Sequence, residues 1–165
     1  MHRRRLLLIA AFALATLLSA CASTKGEPVA SPTASRSLKT TDLTIGETLT
    51  TERGNRITVH AFEAPARTSA TPPPDHTFVA ADVEACAGPN PDANTGVGPQ
   101  LFLAATETGD GYPGLSSGVR LPALQQTMLS PNGCVRGWVS FRVPDAQRTR
   151  TIFMVSTEIG RWRIT

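Results

Sequence analysis

The chain has 165 residues and a formal net charge of +3, from 16 Lys and Arg against 13 Asp and Glu. Three of the basic residues, Arg3, Arg4 and Arg5, lie at the amino terminus, and without them the balance is 13 against 13, which removes the electrostatic basis for nucleic-acid binding. The length suits one domain with its own core, and no apolar stretch reaches the roughly 20 residues needed to span a bilayer as a helix.

The first 20 residues read as an export signal. A basic start is followed by an apolar run from Leu6 to Leu18, interrupted only by Thr16, and then by the small residues Ser19 and Ala20. The segment Leu18-Ser19-Ala20-Cys21 resembles the lipobox of bacterial lipoproteins at all four positions. That resemblance implies a diacylglyceryl group on Cys21, which becomes the mature amino terminus on the outer side of the cell membrane. Two acyl chains anchor stably where one is marginal, because each buried methylene contributes about 0.8 kcal/mol.

Residues 21–41 are small, polar and proline-bearing, with no aromatic residue and no apolar period, and are expected to form a disordered linker. As a coil of about 20 residues its root-mean-square span is roughly 25 Å.

The domain is expected over 42–165, in short alternating segments divided by Gly, Pro, Asn and Asp. Leu43 to Thr50 reads as a first strand. Arg56 to Glu63 reads as a half-buried strand with Ile57, Val59 and Ala61 inward. Pro72, Pro73 and Pro74 place a loop before His76 to Cys86, where Val79, Ala81, Val83 and Ala85 face the core and Asp82 and Glu84 face water. Gly88 to Pro99 is a long loop. Leu101 to Thr106 is a strand, Glu107 to Gly114 a polar turn, and Val119 to Leu124 and Gln126 to Leu129 are weak strands. Cys134 to Val143 carries the strongest pattern, and Thr151 to Thr157 and Arg161 to Ile164 close the domain. Seven to nine strands at this spacing, without crossover helices, predict an all-β antiparallel sandwich.

In an oxidising compartment Cys86 and Cys134 form an even pair once Cys21 is lipidated. Cys86 ends one strand, Cys134 begins another, and both fall opposite the apolar face. They are therefore expected to bond near a sheet end, outside the core.

Four patterns in the sequence bear on chemistry. Gly114-Leu115-Ser116-Ser117-Gly118 has the spacing of a nucleophile elbow, but Pro122 opposes the helix the elbow requires and no histidine lies downstream. Asn90-Pro91-Asp92-Ala93-Asn94 alternates oxygen donors as calcium loops do, yet Thr95 stands where the loop glycine belongs and Leu101 where Glu belongs. His60, Asp75, His76, Asp82 and Glu84 lack the close spacing of a zinc site. Trp138 points away from the main core beside Arg136 and Arg142, where it either anchors a partner or is covered by neighbouring chain.

The stretches Ile45-Gly46-Glu47, RITVHAFEAP, FVAADVEAC and PNGCVRGWVSFRVP resemble the immunoglobulin-like domain of unknown function common in bacterial lipoproteins. They are also similar to the secreted mycobacterial immunoprotective antigen fold. The strand motif of that family matches Gly133, Gly137, Trp138, Val139, Phe141, Val143 and Pro144, and the likeness runs from Leu43 to Ile164. The resemblance implies an extracytoplasmic β-sandwich and supplies no catalytic residues. The expected function is a membrane-anchored, non-catalytic binding or structural module without cofactor or metal. Its expected partners are the membrane, through the lipid on Cys21, and an envelope protein that Trp138, Arg136 and Arg142 would contact. The alternatives are a carrier of a small apolar or metal ligand, and a hydrolase.

Overall fold

A computed structural model describes residues 38–89, 96–156 and 158–165. The predicted export signal, Cys21, the predicted linker up to residue 37 and the calcium-like stretch from Asn90 to Asn94 lie outside the described residues. Among the described residues there are eleven strands: β1 (Thr40–Thr44), β2 (Thr48–Thr50), β3 (Arg56–Glu63), β4 (His76–Cys86), β5 (Gly96–Val97), β6 (Phe102–Thr106), β7 (Gly111–Pro113), β8 (Thr127–Met128), β9 (Cys134–Pro144), β10 (Thr149–Val155) and β11 (Ile159–Arg163). A five-stranded sheet runs β1-β11-β10-β6-β7, a four-stranded sheet runs β2-β3-β4-β9, and β5 pairs with β8. The fold is an immunoglobulin-like β-sandwich.

Strands β3 and β4 occupy the bounds that their alternation predicts. The predicted first strand does not survive as one element. Its two halves belong to different sheets: β1 lies parallel to β11, whereas β2 is antiparallel to β3. The turn between them spans the sandwich, with the Gly46 amide donating to the Val59 carbonyl at 2.8 Å. A change of sheet leaves the β-branched composition intact, so composition alone reads it as one strand. The polar turn after β6 also contains β7, and Val119 to Leu124 forms only one isolated bridge, between Ala123 and Trp138.

Two further corrections concern which way side chains face. The register of β3 against β4 shifts between Val59 and Ala61, so two residues of β3 oppose one of β4. The parity flips after the shift. Ala61 pairs with Asp82 on the outer face, and Phe62, opposite Ala81, packs against the core in its place. Asp82, predicted to face water, is only 9% exposed, with Trp138 of β9 opposite it and the Arg136 guanidinium bound to its carboxylate.

Side chains from both inner faces fill the core. Phe102, Ile152 and Trp162 of the larger sheet meet Val59, Val83, Val139 and Phe141 of the smaller one, and all are fully buried. Trp162 is the largest of them. Its indole N–H donates to the Glu47 carbonyl at 2.9 Å, so the one polar atom of the ring is satisfied by the turn that crosses between sheets. The ring also lies over Gly160 of its own strand, where an added Cβ would stand 2.6 Å from the indole edge and 3.0 Å from Leu49. Gly160→Ala is expected to lower stability by about 1–3 kcal/mol through overpacking. Urea denaturation followed by tryptophan fluorescence measures it, and an unchanged midpoint would contradict this packing.

Candidate functional site

The outer face of the four-stranded sheet gathers the polar side chains singled out in the sequence. β4 and β9 pair over eleven residues without a shift, from His76 opposite Pro144 to Cys86 opposite Cys134. Residues of like parity therefore form rows across the sheet. At one end the Cys86–Cys134 disulfide joins directly opposed residues, outside the core cluster, as expected. One row further in, Glu84 faces Arg136, and His60 reaches Glu84 from β3 with Nε2 3.2 Å from Oε2.

Arg136 is committed to the neighbouring row. It grips Asp82 through Nε at 3.1 and 3.2 Å and through Nη2 at 2.6 Å. The bond to Asp82 is also the main cause holding the Arg136 guanidinium above its ordinary pKa.

Trp138 is half-buried, and the chain covers it in two ways. Arg120 lies over the ring with its guanidinium carbon 4.5 Å from the centroid. The backbone before β8 seats on the free edge of β9: the Trp138 N–H donates to the Pro122 carbonyl at 2.8 Å, and the Leu124 N–H donates to the Trp138 carbonyl at 3.0 Å. Gly137 permits this approach, since a Cβ there would stand 2.5 Å from the Leu124 nitrogen. The edge of β9 is thus closed by the chain's own backbone.

Arg120 also ties this cover to β3. It donates to Glu63 through Nε at 3.0 Å and Nη2 at 3.3 Å, and Arg67 adds a second cation on the same carboxylate at 3.1 Å. Glu63 is held below the usual carboxylate range, chiefly by the Arg120 hydrogen bond. The Thr68 hydroxyl donates to the Val119 carbonyl at 2.6 Å and so joins the segment after β3 to the segment before β8.

The expected partner-binding trio is therefore divided. Arg136 is engaged with Asp82, Trp138 lies under Arg120, and exposed Arg142 makes no ion pair among the described residues. Sequence reading missed Arg120 and Glu63, which lie 57 residues apart and carry no local signal. Of the five candidate zinc ligands, the sheet brings His60, Glu84 and Asp82 onto one face. Asp75 and His76 lie at the opposite end of β4, where His76 Nδ1 is 2.8 Å from the Pro74 carbonyl oxygen. Ser116 is exposed in an irregular segment after β7, and no helix follows it among the described residues.

A groove opens between the sheets at the end away from the disulfide. This groove of about 750 Å³ is lined by Ile45, Phe62, Val79 and Ile164 together with Arg148 and Arg150. Thr149 also lines it, and its buried hydroxyl has no hydrogen-bond partner among the described residues.

No known protein family and no curated protein matches the chain. Among solved structures it is similar to MPT63, a secreted protein from Mycobacterium tuberculosis, at 16% identity and a TM-score of 0.52, over 75% of this chain and 97% of that one. An uncharacterized β-sandwich protein from Clostridium difficile aligns at 8% identity and a TM-score of 0.48, over 78% and 96% of the two chains. The likeness to MPT63 is one of fold.

The Glu63–Arg120 pair has a pH signature. The folded-state pKa of Glu63 lies below its unfolded value, near 4.3, so the unfolded chain binds the extra proton in that window. The pair's contribution is complete above that value and is lost as pH falls toward the folded pKa. Replacing Arg120 with Gln is expected to make the acid-side decline in stability shallower. Urea midpoints between about pH 3 and 6 test this, and identical slopes in both proteins would contradict it.

Proposed function

We propose that the chain is an extracytoplasmic, lipid-anchored β-sandwich that serves as a binding or structural module and performs no catalysis. The observation carrying this reading is that the acidic and histidine side chains on the outer sheet face are already matched. Glu63 pairs with Arg120, Asp82 with Arg136, and Glu84 with His60. Acid–base or nucleophilic work draws on groups left poised for a substrate, whereas groups spent on one another stiffen a surface. The Leu18-Ser19-Ala20-Cys21 motif supports membrane anchoring, and the secreted protein of like fold supports a place outside the cytoplasm. Arg142 and Leu121, which is 66% exposed, are the side chains best placed to meet a partner protein.

A second reading is favoured by the groove at the other end of the sandwich. Its volume falls within the range of small-molecule sites, about 300–1,000 Å³, and its lining joins Phe62 and Ile45 to the polar Asp145, Gln147, Arg148 and Arg150. On that reading the module carries a small ligand with both polar and apolar surface.

Replacing Cys21 with Ala is expected to move the protein from the membrane fraction to the medium, and full membrane retention would overturn the anchoring. Cross-linking on intact cells tests the partner surface. Arg142→Glu is expected to abolish the cross-linked species, and a species of undiminished yield would leave that surface without support.

A further inference from the structure

One cluster on the outer face has a chemistry that the binding-module reading does not use. Glu84, Cys86 and Cys134 each offer a ligand atom, and these atoms lie within 4.8 Å of one another. The arrangement comes from the sheet. Glu84 and Cys86 are two residues apart on β4 and so share a face, and Cys134 stands directly across from Cys86 on β9. The Cys86 sulfur is 3.6 Å from Glu84 Oε1, while the other carboxylate oxygen, Oε2, meets His60 Nε2 at 3.2 Å. Zinc bonds of roughly 2.0–2.3 Å place neighbouring ligand atoms about 3.3–3.8 Å apart in a tetrahedron, so the sulfur–carboxylate spacing already fits.

We propose that the Cys86–Cys134 disulfide is the closed form of a metal site, in which reduction frees Cys86 and Cys134 to bind one zinc-like divalent cation together with Glu84. Three protein ligands leave the fourth position to water, and the cluster is graded from buried Cys86 through half-buried Glu84 to exposed Cys134, which leaves that position reachable. His60 is a positioning residue. Its hydrogen bond holds one carboxylate oxygen so that the other faces the sulfurs. Two thiolates and a carboxylate give the occupied site one net negative charge, which faces solvent on the side of exposed Cys134.

The reductant is a dithiol. It supplies two electrons and two protons, the S–S bond opens to two thiols, and the reductant closes its own disulfide. The cation then displaces both thiol protons to solvent. In the oxidised protein the sulfurs are bonded to each other and cannot act as thiolate ligands. Metal binding and disulfide formation therefore exclude one another. This inference is independent of the anchoring and partner readings.

The test uses cobalt as a spectroscopic stand-in for zinc, added to the intact chain before and after anaerobic reduction by a phosphine that is then removed. The reduced protein is expected to bind one cobalt with a near-ultraviolet thiolate-to-metal charge-transfer band that added zinc abolishes, and the oxidised protein is expected to show no such band. Glu84→Gln and His60→Ala are each expected to weaken cobalt binding about tenfold to a hundredfold. His60→Gln, which keeps a donor, should recover part of the loss. Circular dichroism reports the fold in every sample. The proposal is overturned if the folded, reduced protein shows no band, or if oxidised and reduced chains bind alike. It also fails if both variants bind as tightly as the parent, or if reduction unfolds the chain, since the site requires β4 and β9 in register.

Discussion

The eleven-residue antiparallel register between β4 and β9 is the constraint from which most of the molecule follows. Because side chains alternate with period 2, this one alignment assigns both faces of the smaller sheet at once. It turns Val79, Ala81, Val83, Val139, Phe141 and Val143 toward the second sheet, where each is essentially fully buried. The same alignment places Asp82, Glu84 and Cys86 outward against Trp138, Arg136 and Cys134. A slip of one residue would carry the charges into the core and part the two cysteines. The disulfide locks that alignment: its two half-cystines are 48 residues apart, and a closed loop of that length contributes about 4 kcal/mol in the chain-entropy account.

What the sequence disclosed follows from the range of the information it carries. β3, β4 and the start of β9 are legible because each has a strong period-2 pattern bounded by turn residues, and such a pattern is local. Leu43 to Thr50 misleads because a strand that leaves one sheet for the other keeps its β-branched residues throughout. Ala61 misleads because a bulge is a property of a pair of strands, and one strand alone does not show that its partner has a residue fewer there. The opposed cysteines were accessible to parity reasoning, since Cys86 and Cys134 terminate well-patterned strands. The cover over Trp138 was not, because it depends on Arg120 and Glu63 meeting across the sheet and on the backbone near Pro122 finding the edge of β9.

The two faces of the smaller sheet are stabilised by different means. The inner face is apolar and held by packing alone. On the outer face the disulfide, the His60–Glu84 contact, the Asp82–Arg136 fork and the Glu63–Arg120 pair under its covering segments follow one another along the strands. Ion pairs in contact with water contribute little each, so this succession acts less as a source of stability than as a way of holding particular side chains in particular places. Two irregular segments joined through Thr68 and Val119 complete it and keep Ser140 of β9 nearly free of solvent.

The extra residue in β3 links two regions that share no contact. By shifting the register it lets His60 stand over Glu84 near the disulfide, and it rotates Phe62 into the wall of the groove at the far end of the sandwich. With the same residues paired in an unbroken ladder, His60 would stand opposite Asp82, Ala61 opposite Ala81, and Phe62 would turn to the outer face. The bulge therefore absorbs one residue so that the polar segment before it and the apolar segment after it each keep their own side of the sheet.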